Sequence, residues 1–165
     1  MSSMPGAREG KVATLWWRDD DAIADTVALR NLLALAAGSG PHGSSVPVNL
    51  AVIPLAAQPP LAALLAGAEN VTVLQHGYAN ANHAPAGAKK AEFPRGRPIP
   101  VMLAELHAGR ARLRELFAAM VLPVFVPPWN RIDPALVERL PDVDIAGLSI
   151  YGRASWQRRG LRSSM

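Results

Sequence analysis

The sequence predicts an α/β fold built on a parallel sheet with both faces covered. Short, continuous apolar runs recur at residues 12–17, 46–53, 71–74, 121–126 and 145–150, and segments of helical period alternate with them. Unbroken apolar strands, rather than alternating ones, are what a sheet buried on both sides requires, and the intervening helices supply its crossovers. The third observation is where the polar clusters fall. They follow the apolar runs instead of interrupting them, which places them at strand ends.

Each element has its own signal. Residues 12–17 form a first strand rich in large side chains. A helix over 22–37 follows, with Ile23, Val27, Leu29, Leu32, Leu33 and Leu35 as a broad apolar face and Gly38 and Gly40 to stop it. The second strand, 46–53, ends at Pro54, and after Gln58-Pro59-Pro60 a short helix covers 61–66 before Gly67. The third strand, 71–74, runs into His76. A polar loop punctuated by Pro85, Gly87, Pro94, Gly96, Pro98 and Pro100 then leads to a helix over 101–120, whose apolar face is Leu103, Leu106, Leu113, Leu116 and Phe117. Residues 121–126 are the fourth strand, 134–140 a short helix with Asp133 as N-cap, and 145–150 the fifth strand.

Composition bounds the function. At 165 residues and 50% apolar, the chain has the size of one domain with a sizeable core. Its net charge of +4 raises nucleic acid as a partner, but Arg153, Arg158, Arg159 and Arg162 crowd the last stretch and no basic-aromatic pattern accompanies them. Nucleic-acid binding is therefore not expected. The absence of cysteine excludes disulfides and thiolate metal ligands. No signal-peptide core or membrane-length apolar run is present, so a cytoplasmic protein without a membrane partner is expected. Residues 1–10 read as a disordered tail, 11–151 as the domain, and 152–165 as a basic, disordered tail.

Two polar islands carry the chemistry. Asp19-Asp20-Asp21 follows the first strand, and Gln75-His76-Gly77-Tyr78-Ala79-Asn80-Ala81-Asn82-His83 follows the third. Three adjacent carboxylates repel one another unless a cation or hydrogen-bond donors compensate, and imidazoles beside them supply ligands for first-row metals. In parallel α/β folds such groups converge on the rim at the carboxyl ends of the strands. Pro127-Pro128-Trp129-Asn130-Arg131 follows the fourth strand and reaches the same rim.

This ordered set, from Trp17-Arg18-Asp19-Asp20-Asp21 through Gln75-His76-Gly77-Tyr78 and Asn82-His83 to Pro127-Pro128-Trp129-Asn130-Arg131, resembles the polysaccharide deacetylase family, over roughly residues 12–151. The resemblance implies an incomplete, distorted (β/α) barrel with parallel strands. It also implies metal-assisted hydrolysis of an N-acetyl amide on a carbohydrate or related small amide substrate. In that family the first carboxylate of an acidic pair is the catalytic base and the second binds metal. On this chain the base is then Asp19 and the ligand Asp20, with Asp21 where glycine is usual. The family's two histidines four residues apart fall on His76 and Asn80, and His83 is a candidate substitute for the missing imidazole. The cofactor implied is a divalent metal, zinc first, with cobalt or manganese as alternatives. Tyr78, Pro128, Trp129, Asn130 and Arg131 are the expected substrate-binding residues, although Val126 stands where an arginine usually precedes the prolines.

The later family motifs, including a histidine acid, have no counterpart after Tyr151, so the chain resembles the first two thirds of a deacetylase. A truncated gene product is one expectation. A catalytically inactive remnant or sugar-binding relative is the alternative function, favoured by Asn80. Other readings stay open at single residues. The triplet also suits the positive end of a following helix, His76 a satisfied core position, His83 a loop surface, and Trp129 a core residue. His42 and His107 read as structural or exposed, and Lys89 and Lys90 as a solvated loop. A barrel lacking its last strands leaves an open sheet edge, so self-association through that edge is expected. Sedimentation of the isolated chain as oligomers would agree, and a sharply melting monomer would contradict it.

Overall fold

A computed structural model of the chain describes residues 17–38, 45–151 and 162–163. The two expected tails therefore lie outside the described residues, except for the pair 162–163, and so do residues 12–16 of the first expected strand. Six strands pair in parallel and in sequence order: β1 (Trp17–Ala22), β2 (Val48–Val52), β3 (Val71–His76), β4 (Val121–Val126), β5 (Gly147–Leu148) and β6 (Arg162–Ser163). The helices are α1 (Val27–Ala36), α2 (Pro59–Leu65), α3 (Ile99–Phe117) and α4 (Pro134–Val137). The strand order never reverses, whereas that of a doubly wound sheet reverses at a switch point, and the barrel expected from the sequence is not closed among the described residues. Among the described residues β1 and β6 do not pair, so the sheet is open.

Alternation along the strands separates two faces. Val48, Leu50 and Val52 of β2 and Val71 and Val73 of β3 share one core with Leu29, Leu61, Leu65, Leu113 and Phe117 of the helices. Phe125 of β4 and Leu148 of β5 extend that face into a second core with Met102, Leu106, Leu136 and Leu140. The opposite face carries a small cluster of Ala51, Leu74 and Val126. His76 is two residues beyond Leu74 and so projects from this second face, at the carboxyl rim.

That face is concave. Arg18 of β1 reaches Ser149, just past β5, with its Nη1 2.5 Å from the serine Oγ. In a flat sheet these strands would stand about 19 Å apart, four spacings of ~4.8 Å, far beyond an arginine's length. The sheet therefore curls until its first and fifth strands share a hydrogen bond. Gly109 allows α3 to follow the outer surface, because a Cβ there would lie 2.7 Å from Gln75 Nε2 and 3.0 Å from Pro54 Cγ. The Gln75 amide spans the gap, donating to the carbonyls of Leu106 at 3.0 Å and Gly77 at 3.2 Å.

Several boundaries differ from the sequence reading. The acidic triplet lies inside β1, not after it, because Trp17, Arg18 and Asp19 pair with Val48, Asn49 and Leu50. Helix α1 starts at Val27 rather than residue 22, since the Ala22 and Ile23 carbonyls are taken by Ile53 N and Gln58 N, and Thr26 Oγ1 caps the helix by accepting from Leu29 N at 3.1 Å. Of the apolar face assigned to it, Val27 and Leu35 are exposed and Leu29 is buried. β3 continues through Gln75 to His76, and β5 shortens to two residues. Asp133 caps α4 as expected, accepting from Ala135 N at 2.9 Å.

Leu50 is fully buried at the centre of the outer core. Leu50→Ala is expected to cost about 2–5 kcal/mol, read as a lowered urea midpoint with an unchanged slope.

Candidate functional site

His76 anchors the rim. Its ring is buried, and Nδ1 lies 3.1 Å from the Val126 carbonyl of the neighbouring strand. A carbonyl only accepts, so Nδ1 carries the hydrogen and Nε2 turns to the pocket. There Nε2 stands 3.1 Å from Asp21 Oδ1. Two acceptors at that distance attract only when a proton or a metal cation lies between them. Asn80 closes the group, its Nδ2 donating to the same Asp21 oxygen at 3.1 Å.

A β-bulge decides which carboxylate reaches His76. Three residue steps from Asp19 to Ala22 oppose two from Leu50 to Val52, and Asp21, at φ 67°, is the left-handed residue of the bulge. Strand alternation before the bulge sends Arg18 and Asp20 to the concave face, where both line the pocket. Asp20 is held there by Arg18, whose Nε donates to Oδ1 at 2.7 Å and Nη2 to Oδ2 at 2.9 Å. Asp19 lies on the other side, lining a separate recess with Thr26, Leu29 and Leu32 of the α1 region. Partial burial, then the charges of Asp20 and Asp21, push its carboxyl above the ordinary range. The expected base thus faces away from His76, and the expected ligand, Asp20, is paired with Arg18. The carboxylate beside the imidazole is Asp21, a residue the sequence placed only in the triplet.

The loop after His76 is built around a buried acid that sequence reasoning missed. Glu92 is completely buried, and its carboxylate accepts from the backbone N–H of Tyr78 at 3.2 Å and of Ala79 at 2.7 Å. Desolvation raises its pKa, and these backbone donors, with that of Ala81, oppose the rise. Gly77 permits the contact: its φ is +60°, and a Cβ there would overlap Glu92 Oε2 and lie 2.6 Å from Pro128 Cγ. Only the Ala-Glu-Phe context, a carboxylate between buried apolar residues, could have flagged Glu92 from sequence. His83 sits farther along the loop. Its backbone N–H donates to the Ala91 carbonyl at 2.9 Å, its side chain is exposed, and it does not line the pocket.

Trp129, Asn130 and Tyr151 form the opposite wall of a pocket of about 270 Å³ that also includes Arg18, Asp20, Asp21, His76 and Asn80. Trp129 is left-handed at φ 52°, and the ammonium of Lys90 stands 6.0 Å from its ring centroid. Asn130 fixes the chain end of the wall by exchanging hydrogen bonds with the Tyr151 backbone, donating to its carbonyl at 2.9 Å and accepting from its N–H at 2.5 Å. Pro128 is buried beneath the wall. Of the other expected contacts, Tyr78 packs into the core with Phe93. Arg131 points to a neighbouring cavity and donates to the carbonyls of Lys90 at 3.1 Å and Trp129 at 3.2 Å. Among the described residues no group of three or more histidines, aspartates and glutamates is gathered closely enough to hold a metal, and no helix is long and apolar enough to cross a membrane.

Gly77→Ala tests how the loop is held. Left-handed strain and overlap with Glu92 and Pro128 together are expected to cost about 2–5 kcal/mol, measured by chemical denaturation.

No family model matches the sequence, and no curated protein does. The fold is similar to the crystal structure of a "putative polysaccharide deacetylase from Mycobacterium smegmatis", with a TM-score of 0.55 and 19% identity over 75% of this chain. The chain spans 38% of that protein's length. At this identity the likeness is one of fold.

Proposed function

We propose that the rim pocket hydrolyses an N-acetyl amide on a carbohydrate or related substrate with the help of a divalent metal, as a polysaccharide deacetylase does. The observation that carries the proposal is the confrontation of His76 Nε2 and Asp21 Oδ1 across 3.1 Å at the carboxyl ends of parallel strands. That donor pair fits a divalent cation, because an imidazole whose other nitrogen is tied to a backbone carbonyl presents its lone pair to a carboxylate. Asp21 and His76 would hold it, and the Asn80 amide, turned so that its oxygen replaces the Nδ2 that now donates to Asp21, would be a weaker third donor. A cation bound there polarises the acetyl carbonyl and acidifies a water.

The family's acidic pair then falls one position later than its motif suggests. Asp21 takes the metal-binding role and Asp20 that of base. Arg18 orients Asp20 through its two hydrogen bonds, and each carboxylate oxygen retains a lone pair with which to accept a water's proton. The indole of Trp129 offers an apolar face to a sugar ring, and Asn130 a carboxamide at its edge. The backbone donors at 78 and 79 serve Glu92 and so hold the loop, not the reacting carbonyl.

Acetate release from N-acetylated oligosaccharides by protein loaded with zinc, cobalt or manganese tests this reading. Asp20→Asn is expected to reduce the rate by about 10²–10⁴-fold. Asp21→Asn and His76→Ala should abolish metal uptake, and Asn80→His should tighten it by supplying a third strong ligand. Failure of the loaded protein to release acetate, together with no metal uptake, would overturn the proposal.

A further inference from the structure

We propose that the cavity beside the rim pocket is a subsite for an anionic group, a carboxylate or phosphate carried on a sugar. The cavity has a volume of about 480 Å³, within the range that accepts a monosaccharide. Phe93 and Ile132 give it an apolar base, while Lys89, Arg95 and Arg131 bring positive charge to its lining, which contains no Asp or Glu. Asn130 lines both this cavity and the rim pocket, so the two are neighbours with Asn130 between them.

The cations are uncommitted. Arg97, Arg112, Arg114 and Arg139 each pair with a carboxylate, but among the described residues Lys89, Arg95 and Arg131 have no such partner. Arg131 spends donors of one terminal nitrogen on the carbonyls of Lys90 and Trp129 and keeps others of its five N–H groups free. The chain has three lysines, and two of them stand at 89 and 90, so this charge is concentrated in one loop. Like charges gathered over an apolar base repel one another, and an anion relieves that repulsion while a neutral sugar does not. Guanidinium groups match carboxylate and phosphate oxygens alike. Across Asn130 the rim is acidic, with Asp20 and Asp21. An acidic sugar therefore has one orientation available: its anion among the cations and its neutral end toward His76. That orientation rests on the proposed hydrolase reading, whereas the anion subsite itself does not.

Calorimetric titration of the full chain with glucuronic acid, glucose 6-phosphate and glucose tests the subsite. At least one anionic probe is expected to bind tighter than glucose by about tenfold or more, with added salt eroding the difference. The two anions separate carboxylate from phosphate selectivity. Lys89→Gln/Arg95→Gln should remove the advantage while leaving the melting temperature unchanged, because both side chains are exposed. Equal binding of all three sugars, or an undiminished advantage in the double variant, would overturn the inference. Anion binding with neither metal uptake nor acetate release would overturn the hydrolase reading alone. Acetate release with no anion preference would overturn the subsite alone.

Discussion

The site depends on the curvature that Arg18 records. By joining Asp20 on β1 to Ser149 beyond β5, this one guanidinium spans strands that would lie far apart in a flat sheet. Curling also carries Asp21, on the first strand, to within 3.1 Å of His76 on the third. The pocket is therefore assembled across the concavity and not along one loop. Ser149 is buried, so the anchoring end of the bridge is shielded, while the Asp20 end remains open to the pocket.

Glu92 is the second organising group. Its carboxylate fastens the backbone of the loop that carries Asn80, and the adjacent Phe93 fastens the next segment, its carbonyl accepting from Asp133 N at 2.8 Å. The exit loops of β3 and β4 are thus tied together beneath the pocket. Above that tie the surface is polarised: carboxylates on the β1 side, lysines and arginines on the loop between β3 and α3. A ligand crossing Asn130 passes from one potential to the other.

Much of this was legible in the sequence. β2, β3, β4, α2 and α3 announce themselves by apolar runs bounded by proline and glycine, and the Asp133 cap is local chemistry. The parallel sheet followed from those runs, and the convergence of His76, Asn80 and Trp129 followed from their places after strands. What stayed hidden depends on partners distant in sequence. The bulge at Asp21 arises from pairing with β2 and shifts the facing carboxylate by one residue, which period-two reasoning cannot anticipate. Glu92 looks like an ordinary loop acid until three backbone amides are folded around it. Lys89 is exposed as its loop context predicts, but nothing near it in sequence reveals the cavity that it lines with Phe93 and Ile132.

Trp129 stands at the boundary between the acidic rim and the basic cavity, with Lys90 beside its ring. An indole's emission responds to the local electric field, and the ammonium of the exposed Lys90 contributes to that field. Any ligand that attracts Lys90 away from the ring would change the colour and intensity of this tryptophan. The wall of the site is thus also an optical probe of its occupancy, already built into the chain.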